Sequence, residues 1–119
     1  MENKEFGKQL EKRTKEFAID IIRLSITLPD IPKGKVIRNQ LTKSGTSVGA
    51  NYWEANRARS KADFKNKISI CESEASETSF WLEVIEELGW GNPDKLKKSS
   101  QEISELLAIF TTVGKNLKL

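Results

Sequence analysis

Apolar side chains recur every three or four residues in four stretches of the chain, each long enough to form a helix. In every stretch they fall on one narrow stripe of a helical wheel, and the second stripe spans about 80° of arc. No alternating pattern typical of a strand competes with this period. The four stripes, from first to last, are Phe17, Ile21, Leu24 and Leu28; Ile37, Leu41, Ser44, Val48, Tyr52 and Ala55; Phe64, Ile68, Cys71, Ala75, Thr78, Leu82 and Ile85; and Leu96, Ile103, Leu106, Phe110, Val113 and Leu117.

Residues that cap or break helices separate the four stretches. They are Pro29, Pro32 and Gly34 after the first, Ser60 and Asp63 before the third, Gly89 after the third, and Asn92 and Pro93 before the fourth. The sequence therefore predicts a single all-α domain over residues 1–119, with helices at roughly 6–28, 33–58, 61–88 and 93–116. Stripes of this spacing joined by short connections are typical of an antiparallel up-down-up-down four-helix bundle.

Two glycines interrupt the second helix beside its apolar stripe. Gly45 and Gly49 lie one turn apart, and each costs a helix about 1 kcal/mol relative to alanine. A phosphate loop is excluded for the surrounding run, because it lacks the Gly-Lys-Ser/Thr ending and no strand precedes it. We expect instead that the backbone of another helix approaches closely at these two glycines.

Composition narrows the class of function. The 119 residues contain no histidine and one cysteine, Cys71. These counts exclude Ser-His and Cys-His nucleophiles, a cysteine zinc cluster and an internal disulfide. We expect a non-enzymatic protein with no catalytic residue, no metal and no cofactor, in which Cys71 is buried and unreactive. No apolar run reaches the roughly 20 residues of a membrane span and no signal peptide is visible, so we expect a cytoplasmic protein without membrane contact.

Six glutamates in the third stretch raise the question of a metal–carboxylate site. Bundles that bind two iron ions pair such glutamates with histidine in a Glu-x-x-His motif, which this chain cannot form. Glu72, Glu83 and Glu87 are expected to face solvent. Glu74 and Glu77 flank the apolar stripe, and we expect them to accept hydrogen bonds from a neighbouring helix.

The net charge of +3 conceals strongly segregated blocks. Residues 33–67 carry nine basic side chains against two acidic ones, whereas residues 68–94 carry seven acidic side chains and no basic one. Trp53 falls in the middle of the basic face of the second helix, where it suits either a subunit interface or stacking on RNA bases. The basic band is either a solvated face or a phosphate-binding surface formed by Lys35, Arg38, Lys43, Arg57, Arg59, Lys61 and Lys65.

Distinctive residues also occur at fixed spacing across residues 36–89. They are Arg38-Asn39-Gln40-Leu41, Ser44-Gly45-Thr46-Ser47-Val48-Gly49-Ala50-Asn51, Glu54-Ala55, Ser60-x-x-Asp63-Phe64, Lys67-Ile68, Glu74-Ala75-x-Glu77-Thr78 and Trp81-Leu82. In these motifs the chain resembles the four-helix-bundle proteins encoded by intervening sequences in 23S ribosomal RNA genes. Trp53 departs from the resemblance, because a small or basic residue is expected at its position in relatives.

The resemblance implies a ring-shaped homopentamer and nucleic-acid binding, which is the usual inference for this family. The accessory proteins of diversity-generating retroelements are similar in fold and pentameric state. We therefore expect a non-enzymatic oligomer that binds nucleic acid, RNA before DNA, through the seven cations named above. The alternative is an oligomeric scaffold for a protein partner, in which the acidic helix of one subunit faces the basic helix of the next through salt bridges.

Overall fold

Four helices account for most of residues 4–117, which are the residues that the structure, a computed structural model, describes. They are α1 (Lys4–Ser25), α2 (Pro32–Ala55), α3 (Lys61–Leu88) and α4 (Pro93–Asn116). Each helix packs against the next along the chain and α1 packs against α4, which closes a bundle of 46 × 22 × 20 Å. The described residues form no strand, so the predicted all-α class is confirmed.

Side-chain and glycine caps fix the ends of α3 and α4 as the sequence predicts. The Ser60 hydroxyl accepts a hydrogen bond from the Asp63 amide at 3.0 Å, and the Asn92 side chain accepts one from the Lys95 amide at 3.0 Å. Both bonds satisfy amide groups that a helix N-terminus leaves without a partner. Gly89 ends α3 with a φ of 68°, a left-handed conformation that glycine adopts without steric cost.

The first two helices end earlier than predicted. α1 ends at Ser25 rather than near 28, and α2 ends at Ala55 rather than near 58. At both ends the chain turns once more, but through hydrogen bonds that span three residues, such as Leu28 N to Ser25 O and Ala58 N to Ala55 O. Leu28 precedes a proline, which disfavours the α-helical conformation. The apolar period therefore continues past the last α-helical hydrogen bond.

The predicted apolar stripes form the core. All their members are buried except four half-buried residues near helix ends: Ile37, Phe64, Val113 and Leu117. The stripes omit four other buried side chains, Leu10, Thr14, Ser25 and Ser99. Three of these four are polar, so a search for hydrophobic periodicity does not detect them. Thr14 satisfies its hydroxyl by donating to the Glu11 carbonyl at 3.0 Å.

Gly45 and Gly49 lie where α1 and α2 approach each other most closely, as predicted. A Cβ at Gly45 would lie 2.8 Å from Ile21 Cγ2, and a Cβ at Gly49 would lie 2.9 Å from the backbone oxygen of Thr14. A side chain such as Ile21 can shift by rotation, but a backbone oxygen inside a helix cannot. Of these two positions, Gly49 is therefore the one that tolerates a side chain less.

Gly49→Ala is expected to lower the free energy of unfolding by about 1–3 kcal/mol, because the added methyl group forces α1 and α2 apart. The matched control is Gly114→Ala in α4, where a Cβ would have its nearest neighbour at 3.9 Å. That substitution should be neutral or stabilise by up to about 1 kcal/mol, since alanine is the better helix former. Urea unfolding followed by circular dichroism measures both. Equal effects of the two substitutions would contradict the close approach.

Candidate nucleic-acid interface

The seven predicted phosphate contacts do not form one band. Lys35 and Arg38 lie near the start of α2, whereas Arg57, Arg59, Lys61 and Lys65 lie beyond its end and at the start of α3. The 24 residues of α2 extend for about 36 Å at the usual helical rise. The two groups therefore occupy opposite ends of the bundle, and the exposed Lys43 lies between them.

The cations at the start of α2 contact the α1–α2 connection. The half-buried Arg38 donates from Nη2 to the carbonyl oxygens of Leu28 at 3.2 Å and Pro29 at 3.4 Å. Lys35 Nζ lies 3.7 Å from Asp30 Oδ1 at an exposed position, a geometry that contributes little. Arg38 thus satisfies carbonyl groups that the end of α1 leaves open.

Four of the predicted cations lie at the other end of the bundle, and three of them lack a carboxylate partner in the described part of the chain. Arg59, Lys61 and Lys65 make no ion pair within the described residues. α1 begins beside them, because Asn56 Nδ2 lies 3.4 Å from the Gly7 carbonyl oxygen, and a groove of about 460 Å³ joins α1, α2 and α3 there. Two further lysines line that groove. We call the following set the basic end: Lys4, Lys8, Arg59, Lys61 and Lys65.

Sequence reasoning missed Lys4 and Lys8, because residues 1–32 balance to zero net charge. The signal that could have found them is topological. In a bundle whose consecutive helices reverse direction, the first residues of α1 lie beside the α2–α3 connection. Positions 4 and 8 are also one turn apart, so they share one face of α1.

Arg57 is engaged within the protein. Its guanidinium carbon lies 3.8 Å from the centroid of the Trp53 ring, and its Nη1 donates to Glu11 Oε1 at 2.9 Å and to the Trp53 carbonyl at 2.8 Å. The hydrogen bond from Arg57 lowers the pKa of the Glu11 carboxyl despite its partial burial, with a smaller contribution from Asn56. We call this arrangement of Glu11, Trp53 and Arg57 the Trp53 clamp.

Trp53 is 51% exposed, as expected from its place on the helical wheel. Beside it lies an open groove of about 390 Å³ between α1 and α2, which we call the α1–α2 groove. The groove is lined by Glu11, Lys15, Ala18, Gly49, Ala50, Trp53 and Glu54. Glu54 accepts a hydrogen bond from Lys67 Nζ of α3 at 2.7 Å, so both carboxylates of the groove are paired with cations.

A row of exposed isoleucines follows the outer face of α1 and the first residue after its end. Ile19, Ile22 and Ile26 are 41%, 43% and 72% exposed, and their spacing places them on one side of the helix. Sequence reasoning missed this row because each helix was searched for a single apolar stripe. A contiguous apolar surface of this kind is typical of a contact with another molecule.

The glutamates of α3 differ from expectation in three places, one of which is Glu74, whose carboxylate accepts no hydrogen bond from a neighbouring helix within the described residues. Glu72, expected to face solvent, accepts a hydrogen bond from the Thr111 hydroxyl of α4 at 2.9 Å. Glu77, expected to bond a neighbouring helix, accepts instead from Trp81 Nε1 on its own helix at 3.1 Å. Side chains near the edge of an interface can turn to either side, which the helical wheel does not resolve. Within residues 4–117 no cluster of acidic or cysteine side chains could hold a metal ion.

Among the described residues, burial raises the pKa of two acidic groups, Cys71 and Glu74. Burial raises the pKa of the Cys71 thiol to about 12, so the thiol stays protonated and unreactive at neutral pH. Burial also raises the pKa of Glu74, and the neighbouring Glu77 raises it further, while Lys43 opposes the shift. The Glu74 carboxylate is therefore less stable in the folded protein than in water.

The structure is therefore that of a four-helix bundle with cations clustered at one end and exposed apolar side chains on its surface. A family model described as 23S rRNA-intervening sequence protein matches residues 8–112, and the chain belongs to this family. A crystal structure of a protein of unknown function from the S23 ribosomal protein family of Bacteroides thetaiotaomicron VPI-5482 is similar, with 33% identity and a TM-score of 0.82. That similarity covers 90% of this chain and 99% of the other. No curated protein matches the sequence.

The family assignment confirms the resemblance found in the sequence, and the match extends it toward both ends of the chain. None of the helices in the described part of the chain combines the length and the apolar character needed to cross a membrane.

Glu74→Gln is expected to raise the melting temperature at pH 7. A carboxyl whose pKa is higher in the folded than in the unfolded protein destabilises the fold when it ionises. This effect is absent well below the ordinary pKa of 4.5 and grows as the pH rises through the pKa of the folded state. The gain from glutamine should therefore be complete at pH 7 and disappear below about pH 4. Calorimetry at both pH values measures it, with Glu83→Gln on the exposed face of α3 as the control. A gain that is equal at both pH values would contradict this assignment.

Proposed function

We propose that the protein is a non-enzymatic RNA-binding protein and that its basic end binds phosphate groups. The observation that carries this proposal is the collection of cations there without a carboxylate partner within the described residues. Such cations are free to replace the counterions of a nucleic acid, which is the main source of affinity in charge-led binding. Membership of the 23S rRNA-intervening sequence family supports RNA as the ligand.

The seven predicted contacts divide into two roles under this proposal. Four of them have exposed or half-exposed side chains that bind phosphate: Arg59, Lys61 and Lys65 at the basic end, and Lys43 in the middle of α2. Lys35 contributes weakly from the far end. Arg38 and Arg57 already donate to protein acceptors, so they shape the surface. Lys4 and Lys8 complete the phosphate-binding set.

An antiparallel arrangement strengthens the field at the basic end. The order of contacts supports it: Gly49 lies against Thr14 and Gly45 against Ile21, so positions along α2 rise as those along α1 fall. The bonds from α3 to α2 show the same order, with Thr78 bonded to Ser44 and Lys67 to Glu54. The N-termini of α1 and α3 then both lie at the basic end, where their partial positive charge attracts anions.

Reversing the charge at the basic end tests this proposal. Arg59→Glu with Lys61→Glu is expected to weaken binding to a labelled RNA hairpin and to reduce the slope of log K against log salt by about 2. The control is Lys95→Glu with Lys97→Glu, two exposed lysines of α4 at the opposite end that make the same change in net charge. Equal losses in both variants, or a wild-type protein without salt-dependent affinity for RNA, would refute phosphate binding at the basic end.

We further propose that the protein assembles as a ring-shaped homopentamer in the cytoplasm. The exposed row of Ile19, Ile22 and Ile26 supports self-association, because water contact with three neighbouring isoleucines is unfavourable. Segregated charge supports it too, since the acidic α3 of one subunit can face a basic surface of the next. The single cysteine is consistent with a reducing compartment.

An oligomeric scaffold for a protein partner is the second candidate, and the same isoleucine row favours it. The two functions differ in their affinity for RNA: a scaffold without phosphate contacts lacks a salt-dependent affinity. In that case the charge blocks serve assembly, and the isoleucine row binds the partner or the next subunit.

Ile22→Glu with Ile26→Glu is expected to reduce the assembly to monomers without loss of helix content. The substitutions put two charges into a contact that the oligomer buries, whereas in the monomer both positions are exposed. Light scattering gives the mass and circular dichroism the helix content. Lys95→Glu with Lys97→Glu again provides a variant of unchanged assembly. A wild-type monomer, or a double variant of unchanged mass, would exclude the isoleucine row as the subunit contact.

A further inference from the structure

We propose that the α1–α2 groove beside Trp53 binds one unpaired nucleobase of the RNA, stacked against the indole ring. This inference rests on the proposed RNA-binding function and adds to it a preference for single-stranded over fully paired RNA. Four observations carry it: the way the ring is held, the shape of the groove, its charge, and its position beside the basic end.

The Trp53 ring is held in place on one side only. Arg57, four residues after Trp53 and just beyond the end of α2, covers it at 3.8 Å and is itself fixed by Glu11. Arg57 does not line the α1–α2 groove, whereas Gly49 and Ala50, one turn before Trp53, do. Trp53 lines the groove and is 51% exposed, so a base in the groove can reach its side chain. A ring that is fixed before binding loses little conformational entropy when a base stacks on it.

The groove has the shape of a slot for a flat apolar object. Ala18, Gly49 and Ala50 contribute at most a methyl group each, so this part of the lining takes up little space beside Trp53. Gly49 is fixed as glycine by the approach of the Thr14 backbone oxygen, which keeps this floor open. Nearly all of the surface that lines the groove is apolar. Stacking of a base requires such a surface, because both faces of the base are apolar while its edges are polar.

The charges around the groove favour a polyanion. Its two carboxylates are neutralised, Glu11 by Arg57 at 2.9 Å and Glu54 by Lys67 at 2.7 Å. Lys15, on the rim, is exposed and makes no ion pair within residues 4–117. The balance of charge at the rim is therefore positive. A phosphate group next to a stacked base meets an attractive cation there and no unpaired carboxylate.

The groove lies next to the basic end. Glu11 lines both the α1–α2 groove and the groove that contains Lys4 and Lys8. A strand whose phosphates lie on the basic end can therefore place the next base beside Trp53 without crossing the bundle. A base inside a duplex cannot do so, since its faces are already stacked on its neighbours. The site thus selects RNA with a loop, a bulge or a free end.

Two substitutions of Trp53 separate stacking from apolar bulk. Trp53→Leu is expected to weaken binding to a hairpin with an unpaired loop by about 5-fold to 100-fold, the usual loss for one stacked base. Trp53→Tyr keeps an aromatic face and should retain most of the affinity. Neither substitution should change binding to a fully paired duplex with the same number of phosphates. Fluorescence anisotropy at about 50 mM salt measures all three proteins on both RNAs.

Three outcomes would overturn either the base site or the RNA-binding function on which it rests. If Trp53→Leu loses no affinity, or loses it equally on both RNAs, the base site is wrong and the basic end can still bind phosphate. If Trp53→Leu lowers the oligomeric mass in light scattering, the groove receives another copy of the chain, and the base site is again wrong. If wild-type protein binds neither RNA at low salt, the proposed RNA-binding function itself fails.

Discussion

The close approach of α1 to α2 is the contact on which the rest of the structure depends. Gly49 allows the Thr14 backbone oxygen to lie where a side chain would be, and Gly45 does the same for Ile21. This approach positions Glu11 of α1 to reach Arg57 beyond the end of α2, and so forms the Trp53 clamp. It also leaves a shallow groove along the seam. One pair of small residues therefore determines core packing and the shape of the adjacent surface.

Folding rearranges the charges of the chain more than their order in sequence indicates. The basic block of residues 33–67 divides between the two ends of the bundle, and part of it pairs with acidic residues that are distant in sequence. Lys67 bonds Glu54, and Arg57 bonds Glu11, which lies 46 residues away. Among the cations left unpaired within the described residues are those of the α2–α3 connection and the start of α3. Their proximity to the first turns of α1 produces the basic end.

The sequence predicts the fold well because the fold depends on local periodicity and local caps. Stripes such as Phe17–Leu28 predict buried faces directly, and Ser60, Gly89 and Asn92 bond or turn within a few residues of their own positions. The candidate site depends on contacts across helices. No local pattern shows that Arg57 is held by Glu11, that Arg38 binds the carbonyls after α1, or that Lys8 lies beside the α2–α3 connection.

The two ends of the bundle also differ in charge. The last turns of α3 carry Glu83, Glu86 and Glu87, about 38 Å along the helix from Lys61 at its start. A rod of 46 Å with the basic end at one side, and these carboxylates offset by the first lysines of α2 and α4 at the other, has unequal charge along its axis. In the field of a polyanion such a rod experiences a torque before it touches anything. Encounters are therefore biased to be end-first, and the orientation of the bundle is selected during approach.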